Sequence, residues 1–164
     1  MGKILTYIVL LLTILPVGQG CSTSGCSDNQ TCVPRAGFYS YSTGSKITVD
    51  SISIGGVGAP NDSLLVTLRA GETQLPLRAN YPTVSFFFRY LQKDLQDYGV
   101  VDTLTIDYTT IPYFADEDCG AMFRYTINDI RHTSNLIDSV AMLDSVITNV
   151  DLEQIQIYFR TEAN

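Results

Sequence analysis

The run Phe86–Tyr90 constrains the fold more than any other feature of the sequence. Within 84–91 the residues alternate, with an aromatic or aliphatic side chain at each even position and mixed side chains at the odd ones. A period of two in an aromatic-rich run is typical of a β-strand with one buried face. Shorter runs of the same kind occur at Met122–Tyr125 and Ile157–Arg160. Such strands must be covered by other strands, so the sequence predicts a β-sheet protein.

The rest of the chain supplies further strand-like segments, separated by turns rich in Gly, Pro, Asn and Asp. The segment 136–147 has apolar residues at helical spacing but is rich in Val and Ile, and we interpret it as strand. Pro112 cannot donate to a ladder, so we expect 111–114 to be an edge or a bend. About eight short strands predict a single immunoglobulin-like antiparallel β-sandwich. The expected strands are 38–41, 46–54, 63–69, 74–78, 82–92, 102–108, 121–130, 136–147 and 154–160.

The N-terminal segment has the pattern of an export signal. Lys3 provides a positive start, 4–15 is apolar, and 16–20 brings small residues up to Cys21. The apolar run is too short for a comfortable membrane span, which favours a removable signal. We therefore divide the chain into a lipoprotein signal peptide at 1–20, a polar tether at 21–34 and a β-sandwich domain at 35–164.

Cys21 is the candidate lipid-attachment residue. The tetrad Gly18-Gln19-Gly20-Cys21 resembles a bacterial lipobox, in which the cysteine is acylated and becomes the new N-terminus. Gly20 and Cys21 match that pattern, whereas Gly18 and Gln19 depart from it. The same residues also satisfy the small-x-small rule of ordinary secretory cleavage. We favour lipidation because the polar tract after Cys21 suits a tether, and secretion is the alternative.

The other cysteines predict a disulfide. If Cys21 is acylated, Cys26, Cys32 and Cys119 remain, an odd number in an oxidising compartment. We expect a Cys26–Cys119 bond, with Cys32 as the alternative partner of Cys119 and a local Cys26–Cys32 bond as a further possibility. A bond to Cys119 closes a long loop and contributes about 3–5 kcal/mol. One thiol then remains free or buried.

Catalytic motifs are scarce. His132 is the sole histidine, so a Ser-His-Asp triad must use it, and its place before a Thr-Ser-Asn turn favours a surface histidine. The sequence has no Gly-x-Ser-x-Gly motif and no glycine-rich phosphate loop followed by a helix. We therefore expect no catalytic residues and no enzymatic activity.

The turn Asp116-Glu117-Asp118 is the densest acidic feature. On an extended loop Asp116 and Asp118 point the same way, and their hard oxygens suit Ca²⁺. The turn lacks the spacing of an EF-hand, because Gly120 and Ile127 stand where that loop needs ligands. A solvated acidic turn is the favoured interpretation, with a calcium-binding lipoprotein as the alternative function and Ca²⁺ as the one candidate cofactor.

The charge balance restricts the partners. The formal net charge is −7, and removal of the leader with Lys3 makes it more negative. Without a basic cluster, nucleic acid is a poor partner. The chain has 10 tyrosines and no tryptophan, and several tyrosines near turns are a candidate stacking surface for a glycan or another envelope protein.

Several segments together resemble an uncharacterised lipoprotein family of the Bacteroidales envelope. That resemblance covers essentially the whole mature chain and implies an exported, lipid-anchored, all-β domain with no assigned catalytic residues. We accordingly predict an outer-membrane lipoprotein, on the periplasmic or surface face, with a binding or structural role. The segments that carry the resemblance are 36–40, 49–58, 75–77, 102–105, 111–114, 119–125, 132–140 and 155–159.

Overall fold

The structure of the protein is a computed structural model, which describes residues 32–60, 63–93, 99–115 and 119–160. These residues form ten β-strands. The predicted signal peptide, most of the tether and the acidic turn 116–118 lie outside these residues. The strands are β1 (Arg35–Ser40), β2 (Val49–Gly56), β3 (Leu64–Ala70), β4 (Glu72–Gln74), β5 (Thr83–Tyr90), β6 (Val101–Phe114), β7 (Ala121–His132), β8 (Ile137–Met142), β9 (Val146–Ile147) and β10 (Glu153–Phe159).

The strands lie in two sheets that pack face to face, which confirms the predicted all-β sandwich. The first sheet has the order β4-β1-β10-β8 and the second β3-β2-β5-β6-β7-β9. Strands β1 and β10 pair in parallel, and the other pairs are antiparallel. The second sheet contains the consecutive meander β5-β6-β7, whereas an immunoglobulin constant-type domain divides its strands as ABED and CFG.

The aromatic strand β5 lies inside the second sheet, as its sequence pattern predicts. Phe86, Phe88 and Tyr90 are buried and Arg89 is exposed. Across the sandwich, Phe38 of β1 packs its ring 6.4 Å from that of Phe88. It also meets Phe159 of β10 edge-on at 5.2 Å, so three aromatic rings join the two sheets.

The segment 136–147 is extended, as predicted, and belongs to both sheets. It forms β8 in the first sheet and β9 in the second. Its apolar residues have helical spacing although the segment forms no helix. The spacing arises because the chain changes sheets at 143–145 and buries Ile137 before the change and Ile147 after it.

One strand prediction is wrong in detail, whereas the edge expected at 111–114 is present within a longer strand. The return strand expected at 74–78 is β4 at Glu72–Gln74, because the chain bends from β3 into the other sheet at Gly71. Pro112 lies inside β6 opposite Phe123. It is tolerated there because β5 ends at Thr83, opposite Asp107, and leaves that side of β6 without a ladder partner.

Strands β6 and β7 project beyond the rest of the second sheet as a hairpin. We call its residues 111–114 and 121–124, which lie beyond the pairing of β7 with β9, the arm. Four residues per strand give the arm a length of about 13 Å. The arm projects from the end of the sandwich at which β1 begins, because Cys32 and Val33, just before β1, line a cavity with Ala121 and Phe123. We call this end the arm end.

Candidate functional site

A cavity of about 360 Å³ lies between the arm and the start of the described chain. It brings together two of the predicted site residues, Cys32 and Cys119. Cys32 precedes β1, and Cys119 lies in the turn of the arm, so neither strand pattern predicts their proximity. The cavity is lined by Cys32, Val33, Pro76, Leu77, Cys119, Ala121, Met122, Phe123 and Tyr125.

The two cysteines are in different chemical states. Cys32 carries a free, buried thiol. Burial raises the pKa of this thiol and the positive charge of Arg124 partly offsets the rise, so it stays protonated and unreactive at neutral pH. Cys119 is disulfide-bonded. The alternative in which Cys32 is the partner of Cys119 is therefore wrong, because the Cys32 sulfur is sealed among apolar neighbours as a thiol.

The remaining candidate residues cannot be placed in this cavity. Cys21 and Cys26 lie outside the described residues, so acylation of the first and the bond between the second and Cys119 stay predictions. The calcium candidates Asp116, Glu117 and Asp118 also lie outside them. Within the described ranges, no three His, Cys, Asp or Glu side chains are grouped in a way that can hold a metal ion.

His132 ends β7 at the opposite end of the sandwich. Its Nδ1 lies 2.9 Å from the carbonyl oxygen of Thr133, its own neighbour in the chain. A ring held against a backbone carbonyl in this way is positioned by the turn that follows β7. The described contact therefore fits the surface histidine that the sequence predicts.

Asp102 is a buried ionised group that sequence reasoning missed. It is fully buried at the start of β6 and accepts five hydrogen bonds. Two come from side chains, the hydroxyls of Tyr90 and Thr133, each at 2.8 Å. Three come from the backbone N–H groups of Asn135, Leu136 and Ile137, at 2.8, 2.8 and 3.0 Å. We call these residues the Asp102 cluster.

The Asp102 cluster connects the two sheets. Tyr90 and Asp102 belong to the second sheet, and 135–137 lead into β8 of the first. Burial by itself raises the pKa of Asp102, but the hydrogen bonds from Ile137, Leu136, Asn135 and Thr133 outweigh it and hold the pKa below its usual value. Burial, and then the charge and hydrogen bond of Asp102, raise the pKa of Tyr90 far above that of a free tyrosine.

These two shifts predict how stability depends on pH. Asp102 is ionised more readily in the folded chain, so its contribution is complete above the unfolded pKa of about 3.9 and declines as the pH falls below it. Tyr90 ionises less readily in the folded chain, so its contribution declines as the pH rises above about 10. Between these limits neither Asp102 nor Tyr90 changes the urea midpoint. With Tyr90→Phe the alkaline decline should become shallower, and an unchanged decline would contradict this assignment.

A second cavity, of about 380 Å³, lies at the arm end between the β2–β3 turn and the β4–β5 loop. Val57, Leu65, Arg78 and Tyr81 line it, and the Arg78 guanidinium lies 5.8 Å from the centre of the Tyr81 ring. An aromatic ring beside a cation and aliphatic walls suits a small amphipathic group. This cavity is therefore a candidate ligand site.

The tyrosines expected near turns do not form one platform. Tyr41 is exposed at the end opposite the arm, whereas Tyr81 lies at the arm end. Tyr113 lies on the arm beneath Arg124, whose guanidinium is 4.0 Å from its ring centre. Tyr39 stacks on Tyr158 of the first sheet at 5.5 Å. Tyr98 lies outside the described residues.

Comparison with known sequences identifies a family. The sequence profile of DUF6452, a family of unknown function, matches residues 51–159, from β2 to the end of β10. This confirms the resemblance to an uncharacterised family, while its Bacteroidales and lipoprotein character stays a prediction. No curated protein and no solved structure matches. No described residues form a helix long and apolar enough to cross a membrane. Because the match covers well over half of the 164 residues, the chain belongs to the DUF6452 family.

Proposed function

We propose that the protein is a lipid-anchored component of the cell envelope whose β-sandwich has a binding or structural role without catalysis. The observation that carries the proposal is the state of the cysteines. Cys119 is bridged and Cys32 is a free, buried thiol. This is the pattern that the sequence predicts if Cys21 is acylated and Cys26 is the partner of Cys119.

The position of the cysteines supports the same arrangement. Cys32 begins the described chain beside the arm, and Cys119 lies in the turn of the arm. Six residues separate Cys26 from Cys32, and an extended segment of that length spans at most about 21 Å. Since Cys32 and Cys119 line one cavity, this reach suits a bond between Cys26 and Cys119.

The buried polar groups support a role other than catalysis. A catalytic carboxylate needs a substrate within reach, yet Asp102 is fully buried and accepts five hydrogen bonds from the protein itself. Its chemistry is that of a structural link. The recess beside Arg78 and Tyr81 is the candidate binding surface, and its occupant is a partner in the envelope or a glycan.

Mass spectrometry of the protein purified without reductant tests the proposal. We expect an acylated N-terminal peptide beginning at Cys21, a cross-linked peptide pair containing Cys26 and Cys119, and alkylation of Cys32 after denaturation only. Cys21→Ala should abolish acylation and leave the disulfide intact, because the two cysteines act independently.

Two results would refute the proposal. An unmodified N-terminus at or near Cys21 would indicate ordinary secretion. A Cys21–Cys119 bond would show that Cys21 is part of the domain rather than the anchor. Cys32→Ser provides the matched control, since it changes a cysteine that the structure shows as a free thiol and should alter neither modification.

A further inference from the structure

The exposed apolar side chains are concentrated at one end of the sandwich. All the exposed large hydrophobic residues of the described chain except Tyr41 and Leu68 lie at the arm end by strand register. Scattered exposed apolar residues are normal on soluble proteins, whereas a concentration at one end indicates an interaction surface. The residues at the arm end are Val57, Leu64, Leu65, Tyr81, Ile111, Phe114, Phe123, Met142, Leu143, Val146, Val150 and Leu152.

The arm contributes two phenyl rings to this set. Phe114 is 68% exposed and Phe123 is 43% exposed. Pro112 lies opposite Phe123 and Phe114 lies opposite Ala121 in the ladder, so all four side chains share one face of the arm. The arm therefore presents an apolar face, and its Ala121 and Phe123 also line the cavity beside Cys32.

The loop that follows β8 supplies the aliphatic part of the same end. Met142 lies opposite Ile155, and Leu143 donates its N–H to the carbonyl of Gln154 at 2.7 Å. Gln154 in turn accepts a hydrogen bond from the N–H of Arg35, the first residue of β1. The exposed Leu143 side chain is thus held close to the point at which the tether enters the domain.

The other surfaces of the sandwich are polar. On the first sheet, Lys46 pairs with Glu72 at 3.0 Å and with Glu153 at 3.2 Å. At the end opposite the arm, the Asp102 cluster is surrounded by exposed polar residues such as Thr133 and Ser134. Among the described residues, the exposed apolar side chains are therefore concentrated at the arm end, with Tyr41 and Leu68 as isolated exceptions.

The length of the tether brings this end to the lipid anchor. From Cys21 to Cys32 a fully extended chain spans at most about 40 Å, and a flexible one averages about 18 Å. With Cys26 bonded to Cys119, only five residues separate the anchor from the turn of the arm, and the span is at most about 18 Å. The arm is then held beside the bilayer that receives the acyl chains.

We propose that the arm end docks on the surface of that bilayer, with Phe114, Phe123 and Leu143 at the level of the lipid headgroups. Aromatic and leucine side chains on a surface element are the groups that insert at this depth. The inference rests on the proposed function, because it takes the lipid anchor as given. The acids at 116–118 follow Phe114 in the sequence, so docking should be shallow and should favour zwitterionic over anionic lipids.

Single-tryptophan probes test this orientation, because the chain has no tryptophan of its own. The full chain with Phe114→Trp, acylated in a bacterial host, is reconstituted into phosphatidylcholine vesicles that carry brominated acyl chains. Tyr41→Trp is the matched control, since Tyr41 is 59% exposed at the opposite end. Leu143→Trp is a second probe at the arm end. We expect the Phe114→Trp and Leu143→Trp proteins to lose most of their fluorescence and the Tyr41→Trp protein to keep it.

The other outcomes overturn the docking inference in distinguishable ways. If all three proteins float with the vesicles and none is quenched, the anchor stands and docking is refuted. Equal quenching of all three refutes the stated orientation. A blue-shifted but unquenched Phe114→Trp signal, together with a dimeric mass by light scattering, shows that a second copy covers the arm end. Proteins that fail to float and carry no acyl group refute the proposed function and remove the premise of docking with it.

Discussion

Replacing Asp102 by alanine is expected to lower the free energy of unfolding by about 3–5 kcal/mol. The substitution removes the common acceptor of five hydrogen bonds and leaves the Tyr90 hydroxyl and the Ile137 N–H buried without a partner. The partly buried N–H groups of Asn135 and Leu136 also lose their acceptor. Asp102→Asn should also lower the free energy of unfolding by more than about 2 kcal/mol, because the NH2 group of the asparagine would face groups that are themselves hydrogen-bond donors. Urea unfolding followed by circular dichroism at neutral pH measures both.

Two control variants isolate the role of the carboxylate. Tyr90→Phe removes a single donor, so we expect a loss of about 1 kcal/mol. Asp107→Asn lies in the same strand but removes a more exposed ion pair with Arg131, and it should change the stability by less than about 1 kcal/mol. If Asp102→Asn were no more destabilising than Asp107→Asn, the Asp102 cluster would not be the link between the sheets.

Phe38→Ala is expected to have a comparable effect through packing, with a loss of about 3–5 kcal/mol. Phe38 is fully buried, and its ring contacts Phe88 in the opposite sheet and Phe159 in the neighbouring strand. Removing it opens a cavity that the paired strands around it cannot close. The same urea titration gives the magnitude, and the slope of the transition should stay unchanged.

Phe114→Ala is the matched control for this prediction. It removes the same ring from a side chain that is 68% exposed on the arm, so the stability should change by less than about 0.5 kcal/mol. A large loss from Phe114→Ala would show that the arm face is packed in the folded protein. In that case the arm end could not be the free apolar surface on which the docking inference depends.

The fold was largely predictable because it rests on short-range patterns. The alternation around Phe88 places every second residue in the core, and the structure buries the same residues. The pairing of strands was not predictable, because it depends on contacts between distant segments. The parallel pair of β1 and β10 joins residues such as Tyr39 and Tyr158, and no local pattern signals it.

The Asp102 cluster left one readable signal in the sequence. Asp102 stands at an even position, on the same side of the strand as Leu104, Ile106 and Tyr108, all of which are buried. An acid on the apolar side of a strand has to find hydrogen-bond partners, so its position indicates a buried polar link. Its partners at 133–137 follow the next strand and could not be named, since they depend on how the chain crosses between the sheets. The proximity of Cys32 and Cys119 was one of the alternatives that the cysteines offered, whereas the residues between them at the cavity depend on the same crossing.

The parallel pairing of the first and last strands affects how the chain can reach its destination. Strand β10 is the neighbour of both β1 and β8, so the four-stranded sheet is incomplete until the final residues are available. One of its contacts, between Arg35 and Gln154, closes a separation of 119 residues. Contacts of such long range make folding slow. A nascent chain of this topology stays open until synthesis is nearly finished, which suits the delivery to the cell envelope that we propose.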